Sequence, residues 1–150
     1  MTSGRIIDAH HHFWRVSRGD YHWMSPDMGL PLYRDYLPED MTPLLRKCGI
    51  DYTVVVQAAE TEAETDFLLT LAQETDFVAG VVGWLNMEDD QFEAKLDVLC
   101  RSPKFVGLRP MNLAIETVAE ILDGKEVKDR LPIPLTVVTM ENVNSVEPAF

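Results

Sequence analysis

"DYTVVVQAAETEAETDFLLTLAQETDFVAGVVGWLN", residues 51–86, decides the fold. Its first third is an apolar run with Val54, Val55 and Val56 in succession. A run without polar alternation suits a strand in a sheet covered on both faces. "TEAETDFLLTLAQET" then changes period: Phe67, Leu68, Leu71 and Ala72 fall on one helical stripe. Thr61 followed by Glu64 has the spacing of a capping box at the start of that helix. "FVAGVVGWLN" is a second apolar run. Strand, helix and strand in this order make a right-handed βαβ unit with parallel strands.

The same alternation extends outward. Arg5 to His10 predicts a strand before this unit. "DQFEAKLDVLCRS" predicts a helix with Phe92, Leu96 and Leu99 on one face, and "KFVGLRPM" a further strand. Pro38 to Cys48 predicts a helix with Asp40 as its N-cap and Gly49 as its end. Residues 15–38, rich in Pro, Gly, Tyr and Trp, predict a long loop, and loops of that length in compact domains are usually functional. Past Met111, Ile115, Val118, Ala119 and Leu122 share a helical face, Gly124 is placed as a C-cap, and Leu135 to Thr139 reads as a strand. The expected class is α/β: parallel-strand βα units forming a truncated, partial TIM-type barrel of about five strands. Exposed strand edges in such a sheet favour a homodimer.

Composition narrows the partners. The chain has 150 residues, 46% of them hydrophobic, enough for one domain with a real core. A formal net charge of -12 repels phosphate backbones and anionic lipids, so neither nucleic acid nor a membrane is an expected partner. No apolar stretch approaches the about 20 residues of a membrane span. Cys48 and Cys100 lie in apolar helical stretches outside any CxxC, and no secretory signal is recognisable. They are expected to be reduced, buried thiols of a cytoplasmic protein.

In parallel α/β sheets the chemistry gathers at the carboxyl ends of the strands. Those ends carry His10 and His12, Gln57, Trp84 with Asn86, and Arg109. Three of the four histidines stand together in "RIIDAHHHFW", residues 5–14. Strand alternation puts Asp8, His10 and His12 on one face and His11 with Phe13 on the other. Two histidines at that spacing reach one metal ion or one polarised oxygen, although a catalytic zinc normally takes three protein ligands. The competing reading is a strand end whose imidazoles are satisfied by hydrogen bonds and bind nothing. His22, in the long loop, is the remaining histidine and a candidate third ligand. Arg109 is read as holding an anionic group with its planar fork, or as a salt bridge. Gln57 is a pocket residue or a helix-leading one, Trp84 a pocket wall or core. Tyr21 and Trp23 either line a pocket or staple the long loop down.

These residues carry a resemblance. "IIDAHHHFW", "DYHW", "RDYLPEDMTPLL", "GIDYTVVVQAAETEAETDFLL", "FVAGVVGWLNM" and "PKFVGLRPM" resemble the amidohydrolase-related metal-dependent hydrolases. Within them the likeness is to the L-fuconolactonase-like branch of the sugar-lactone and pyrone-dicarboxylate lactonases, over residues 5–111. The resemblance implies a (β/α)-barrel and hydrolysis of a sugar lactone or related cyclic ester. It implies that His10 and His12 are the first-strand HxH, holding a divalent metal such as zinc or, without metal, the substrate itself. It implies that Arg109 holds a substrate carboxylate or oxygen and that Gln57, Trp84 and Trp23 contact the small-molecule lactone or sugar acid.

The chain departs from that pattern in two respects. A full barrel takes about 250 residues, and the family's later histidines and last-strand aspartate have no counterpart here. Activity is therefore expected to be weak or lost. In addition, "LAIETVAEILDGKEVKDRLPIPLTVVTMENV", residues 113–143, resembles the C-terminal end of sugar-binding periplasmic receptors of ABC transporters. The expected organisation is thus residues 1–111 as the first part of a barrel and 112–150 as a helix–strand tail of different origin. Three functional readings follow: a lactonase-type hydrolase, a non-catalytic chain binding a metal or anionic sugar acid, and a sugar-receptor fragment.

Overall fold

The computed structural model describes residues 4–109. Their strands are β1 (Ile7–His11), β2 (Tyr52–Val56), β3 (Val78–Gly83) and β4 (Phe105–Leu108). Helices α1 (Pro38–Cys48), α2 (Glu62–Glu74) and α3 (Phe92–Leu99) connect them in turn. The strands form one sheet in the order β1-β2-β3-β4, every pair parallel. This is the geometry of consecutive right-handed βα units, the first part of a TIM-type barrel. The fifth strand and the tail expected beyond Met111 lie outside the described residues.

Local chemistry explains the elements. In α1, Pro38 supplies a preset φ at the first helical position, where its missing N–H costs nothing. The N-cap is therefore Leu37, not Asp40. Asp40 sits in the first turn, and its carboxylate accepts the Leu37 N–H at 3.1 Å. Gly49 ends the helix as expected, at φ 67°, a conformation favoured only by glycine. In α2, Thr61 Oγ1 accepts the Glu64 N–H at 3.1 Å, which is half of a capping box. The other half is absent because the Glu64 carboxylate is engaged elsewhere.

The core lies between the sheet and its helices. Leu68, Leu69 and Ala72 of α2 pack on Val55, Val78 and Val81 of the central strands and on Phe13. Phe67 and Leu71, expected in the α2 stripe, are only partly buried, and Leu69 joins it instead. Burying one such aliphatic side chain contributes roughly 1.5–3 kcal/mol. The expected α3 face of Phe92, Leu96 and Leu99 is half-buried.

Two expectations need correction. Strand β1 runs from Ile7 to His11 rather than from Arg5 to His10; before it, the Ile6 N–H donates to the Asp51 carboxylate at 2.8 Å instead of to a strand backbone. Cys48 and Cys100 are free thiols but exposed rather than buried. Each stands at the C-terminal end of its helix, where the inward stripe has already ended at Leu45 and Leu99. Among the described residues no helix is long and apolar enough to cross a membrane.

Candidate active site at the carboxyl ends of the strands

The histidine pair is ordered by the strand beside it. The His10 and His12 rings meet edge-on with centroids 5.0 Å apart, while His11 packs against Phe13 on the opposite side. The pairing of His10 with His12 and of His11 with Phe13 is that of extended chain continuing past the end of β1. His12 Nδ1 lies 2.8 Å from the Val56 carbonyl oxygen. A carbonyl only accepts, so Nδ1 carries the proton and Nε2 keeps an open lone pair. Burial, more than any other influence, pulls the His12 pKa down, with the charges of His10 and Arg109 acting in the same direction. A neutral imidazole with a fixed tautomer is the form that ligates a metal. His10 is exposed, and its N–H is held by Asp8 Oδ1 at 3.1 Å.

His11 has a different role. Its Nε2 is 2.9 Å from Thr53 Oγ1, and burial lowers its pKa to about 4. It is a neutral packing residue between β1 and β2.

The next strand ends are tied to one another. Gln57 is fully buried and follows β2. Its N–H donates to the Val82 carbonyl at 2.8 Å, and its Nε2 donates to the Arg109 carbonyl at 3.3 Å. Gln57 Oε1 is buried with no partner among the described residues. The Arg109 N–H donates to the Gly83 carbonyl at 2.9 Å. Thr65 Oγ1 clasps the backbone of Trp84, accepting its N–H and donating to its carbonyl, each at 2.8 Å. Gly83 permits this approach, since a Cβ there would stand 2.5 Å from Thr65 Cγ2. The Trp84 side chain is half-buried, and Arg109 is half-buried without an ion pair among the described residues.

The long loop folds back over the end of β2. Trp23 Nε1 donates to the Ala58 carbonyl at 2.7 Å, and the ring remains 44% exposed. Trp23 therefore staples the loop while presenting a face outward. Tyr21 is buried, its hydroxyl donating to Glu64 Oε2 at 3.0 Å. Asn86 is an exposed turn residue whose Oδ1 accepts the Glu88 N–H. His22 is exposed, and among the described residues no three His, Cys, Asp or Glu side chains converge on a metal position. His22 thus does not complete the His10–His12 pair. Sequence reasoning missed Glu64 and Thr65 as organisers of this end of the sheet. A Glu in the first turn of a helix ordinarily reads as a solvated dipole partner, and only the docked loop shows otherwise.

A sequence profile described as "Amidohydrolase" matches residues 7–123. The chain belongs to the amidohydrolase family. It is 45% identical over 105 residues to an L-fucono-1,5-lactonase from Burkholderia ambifaria, covering 70% of this chain and 36% of that protein. To an L-fucono-1,5-lactonase from Burkholderia multivorans it is 40% identical over 90 residues, covering 60% of this chain and 30% of that protein. A crystal structure of an amidohydrolase from Burkholderia multivorans with bound zinc superposes with a TM-score of 0.68 at 35% identity. That superposition covers 80% of this chain and 42% of the other. A second crystal structure, with bound HEPES, gives a TM-score of 0.69 over 80% and 41%. This amidohydrolase chain spans about a third of the length of the lactonases it matches. The family match continues to residue 123, past the position where the sequence suggested a tail of different origin, and the receptor resemblance has no support from these relatives.

A divalent cation would find two nitrogen donors at this strand end. His10 and His12 fit as two nitrogen ligands: adjacent rings on one face, with the Nε2 lone pair of His12 fixed open. They would supply two of the three or four ligands a zinc centre takes.

Proposed function

We propose that this chain carries the first-strand portion of a lactone-hydrolysing amidohydrolase site, acting on a sugar lactone or a related cyclic ester. The observation that carries the reading is the His12 tautomer. Its Nδ1–H is committed to the Val56 carbonyl, so Nε2 is the free ring nitrogen, on a ring whose centroid is 5.0 Å from that of His10. The 45% identity to an L-fucono-1,5-lactonase supports the substrate class.

Each residue has a physical role in this reading. His10 and His12 hold the divalent ion or, without it, the polarised lactone oxygen. A bound cation supplies Lewis-acid polarisation of the carbonyl and lowers the pKa of a water. Arg109, unpaired among the described residues, orients the sugar acid through its planar fork. Gln57 Oε1 accepts a hydrogen bond from a water or substrate hydroxyl, and Trp84 and Trp23 give apolar walls. Lactone hydrolysis also needs a base for the attacking water. Among the described residues no carboxylate joins the two imidazoles, so none of them is assigned as that base.

That shortfall favours a second reading in which the chain binds a divalent metal or an anionic sugar acid at His10, His12 and Arg109 without turnover. A lactone panel that includes L-fucono-1,5-lactone separates the two. Hydrolysis above buffer that disappears in His12→Ala supports the hydrolase. Zinc or sugar-acid binding lost in His12→Ala, with no hydrolysis, supports the binding chain. Neither activity nor binding removes both readings.

A further inference from the structure

We infer that Glu64, a carboxylate outside the site, is a positioning residue for His12, acting through the backbone of Val56–Ala58. The chain of contacts is short. The His12 ring is held by the Val56 carbonyl. The two residues that follow Val56 leave the strand, where the β-ladder no longer restrains them. Gln57 keeps one backbone tie, its N–H to Val82, and one side-chain tie, its Nε2 to the Arg109 carbonyl. Ala58 is gripped from both sides: its N–H donates to Glu64 Oε1 at 2.9 Å, and its carbonyl accepts Trp23 Nε1–H at 2.7 Å.

Glu64 is suited to this role by its other contacts. It is completely buried at the start of α2. Its Oε2 accepts the Tyr21 hydroxyl at 3.0 Å and lies 3.4 Å from Arg18 Nη2. The Arg18 guanidinium in turn lies over the Phe67 ring at 4.4 Å and pairs with Asp20. Asp20 Oδ2 also accepts the Thr61 hydroxyl at 2.9 Å. One carboxylate thereby joins the long loop, the β2–α2 turn and α2. A buried carboxylate is costly to maintain, and a solvent-facing capping box would serve helix α2 alone. None of the carboxylate's contacts, to Ala58, Tyr21 and Arg18, belongs to a capping box, and the one to Ala58 is the one that reaches the backbone beside Val56. Groups that orient a metal-binding imidazole typically change affinity about 10–100-fold when removed.

The inference rests on the reading that His12 is a ligand, and the test keeps the two separable. At pH 8 and without metal, long-range proton–nitrogen NMR of the His12 imidazole reads the tautomer directly. Glu64→Ala is expected to convert His12 from the Nδ1–H form to a mixture and to weaken zinc binding about 10-fold. Glu64→Gln, which preserves an acceptor for Ala58, is expected to restore the wild-type tautomer. Leu68→Ala, a core truncation that leaves both hydrogen bonds of Ala58 in place, is expected to lower the unfolding midpoint with tautomer unchanged. A Glu64→Ala protein with the wild-type His12 tautomer overturns the inference. So does a Leu68→Ala protein with the same tautomer shift, because the effect is then general loosening. Where Glu64→Ala does not fold, Tyr21→Phe gives the milder test: a smaller shift in the same direction supports the inference, and none overturns it. If the wild-type chain binds no zinc, the metal reading fails while the tautomer still decides this one.

Discussion

Replacing Thr65 by valine should destabilise the chain by roughly 2–3 kcal/mol, although the two side chains have nearly the same shape. Thr65 is buried, and its hydroxyl both accepts the Trp84 N–H and donates to the Trp84 carbonyl, at 2.8 Å each. Valine removes both partners at once. Each backbone group left unpaired in a buried setting costs about 1–3 kcal/mol. Trp84 is half-buried, so its N–H and carbonyl recover part of this through water, and the lower half of the range applies. The extra methyl offsets little, because the site already holds the threonine methyl against the bare Cα of Gly83. The assay is urea unfolding followed by tryptophan fluorescence, with Thr65→Ser as the control that keeps the hydroxyl. An unchanged urea slope with a lower midpoint is expected for Thr65→Val. A loss below about 0.5 kcal/mol, the range of ordinary surface substitutions, would refute the claim that this clasp holds the end of β3.

Other consequences follow from the same geometry. Gly83→Ala forces a Cβ to 2.5 Å from Thr65 Cγ2 and should cost about 1–3 kcal/mol by overpacking, measured by the same urea curves. Leu68→Ala, at a fully buried position beneath the sheet, should cost about 2–5 kcal/mol. The His11 pKa of about 4 lies below the ordinary 6.5, so the unfolded chain takes up this proton first. Stability is therefore complete above the unfolded value and falls as pH drops toward 4, by up to about 3 kcal/mol; His11→Gln should flatten that part of the profile, and an unchanged profile would contradict the assignment.

Much of this architecture was legible because the signals were local. Val54–Val56 and the 77–83 run are too uniformly apolar for anything but buried strands, and α2 between them has an unbroken helical stripe. The separation of His10 and His12 from His11 followed from strand alternation alone. Contacts distant in sequence were not legible. Glu64 reads as a cap until Tyr21, 43 positions earlier, arrives with the long loop. Asp40 was misplaced as an N-cap because Pro38 fixes the helix start one residue before itself. Cys48 and Cys100 were misjudged because apolar sequence neighbours do not reveal on which side of a helix end a residue emerges. Nor was the bond from Trp23 to the Ala58 carbonyl, 35 positions later, legible; it ties the long loop down.

The central claim is that His10 and His12 form a ligand-holding pair at the carboxyl end of β1. The most direct test is a thermal unfolding curve of the 150-residue chain with and without zinc, repeated for His12→Ala. A ligand that binds only the folded state at about 100 times its Kd adds about 2.7 kcal/mol, a shift of several degrees. The account predicts a cooperative transition that zinc raises in the wild-type chain and leaves unchanged in His12→Ala. A wild-type midpoint indifferent to zinc, or an equal rise in both proteins, would contradict it.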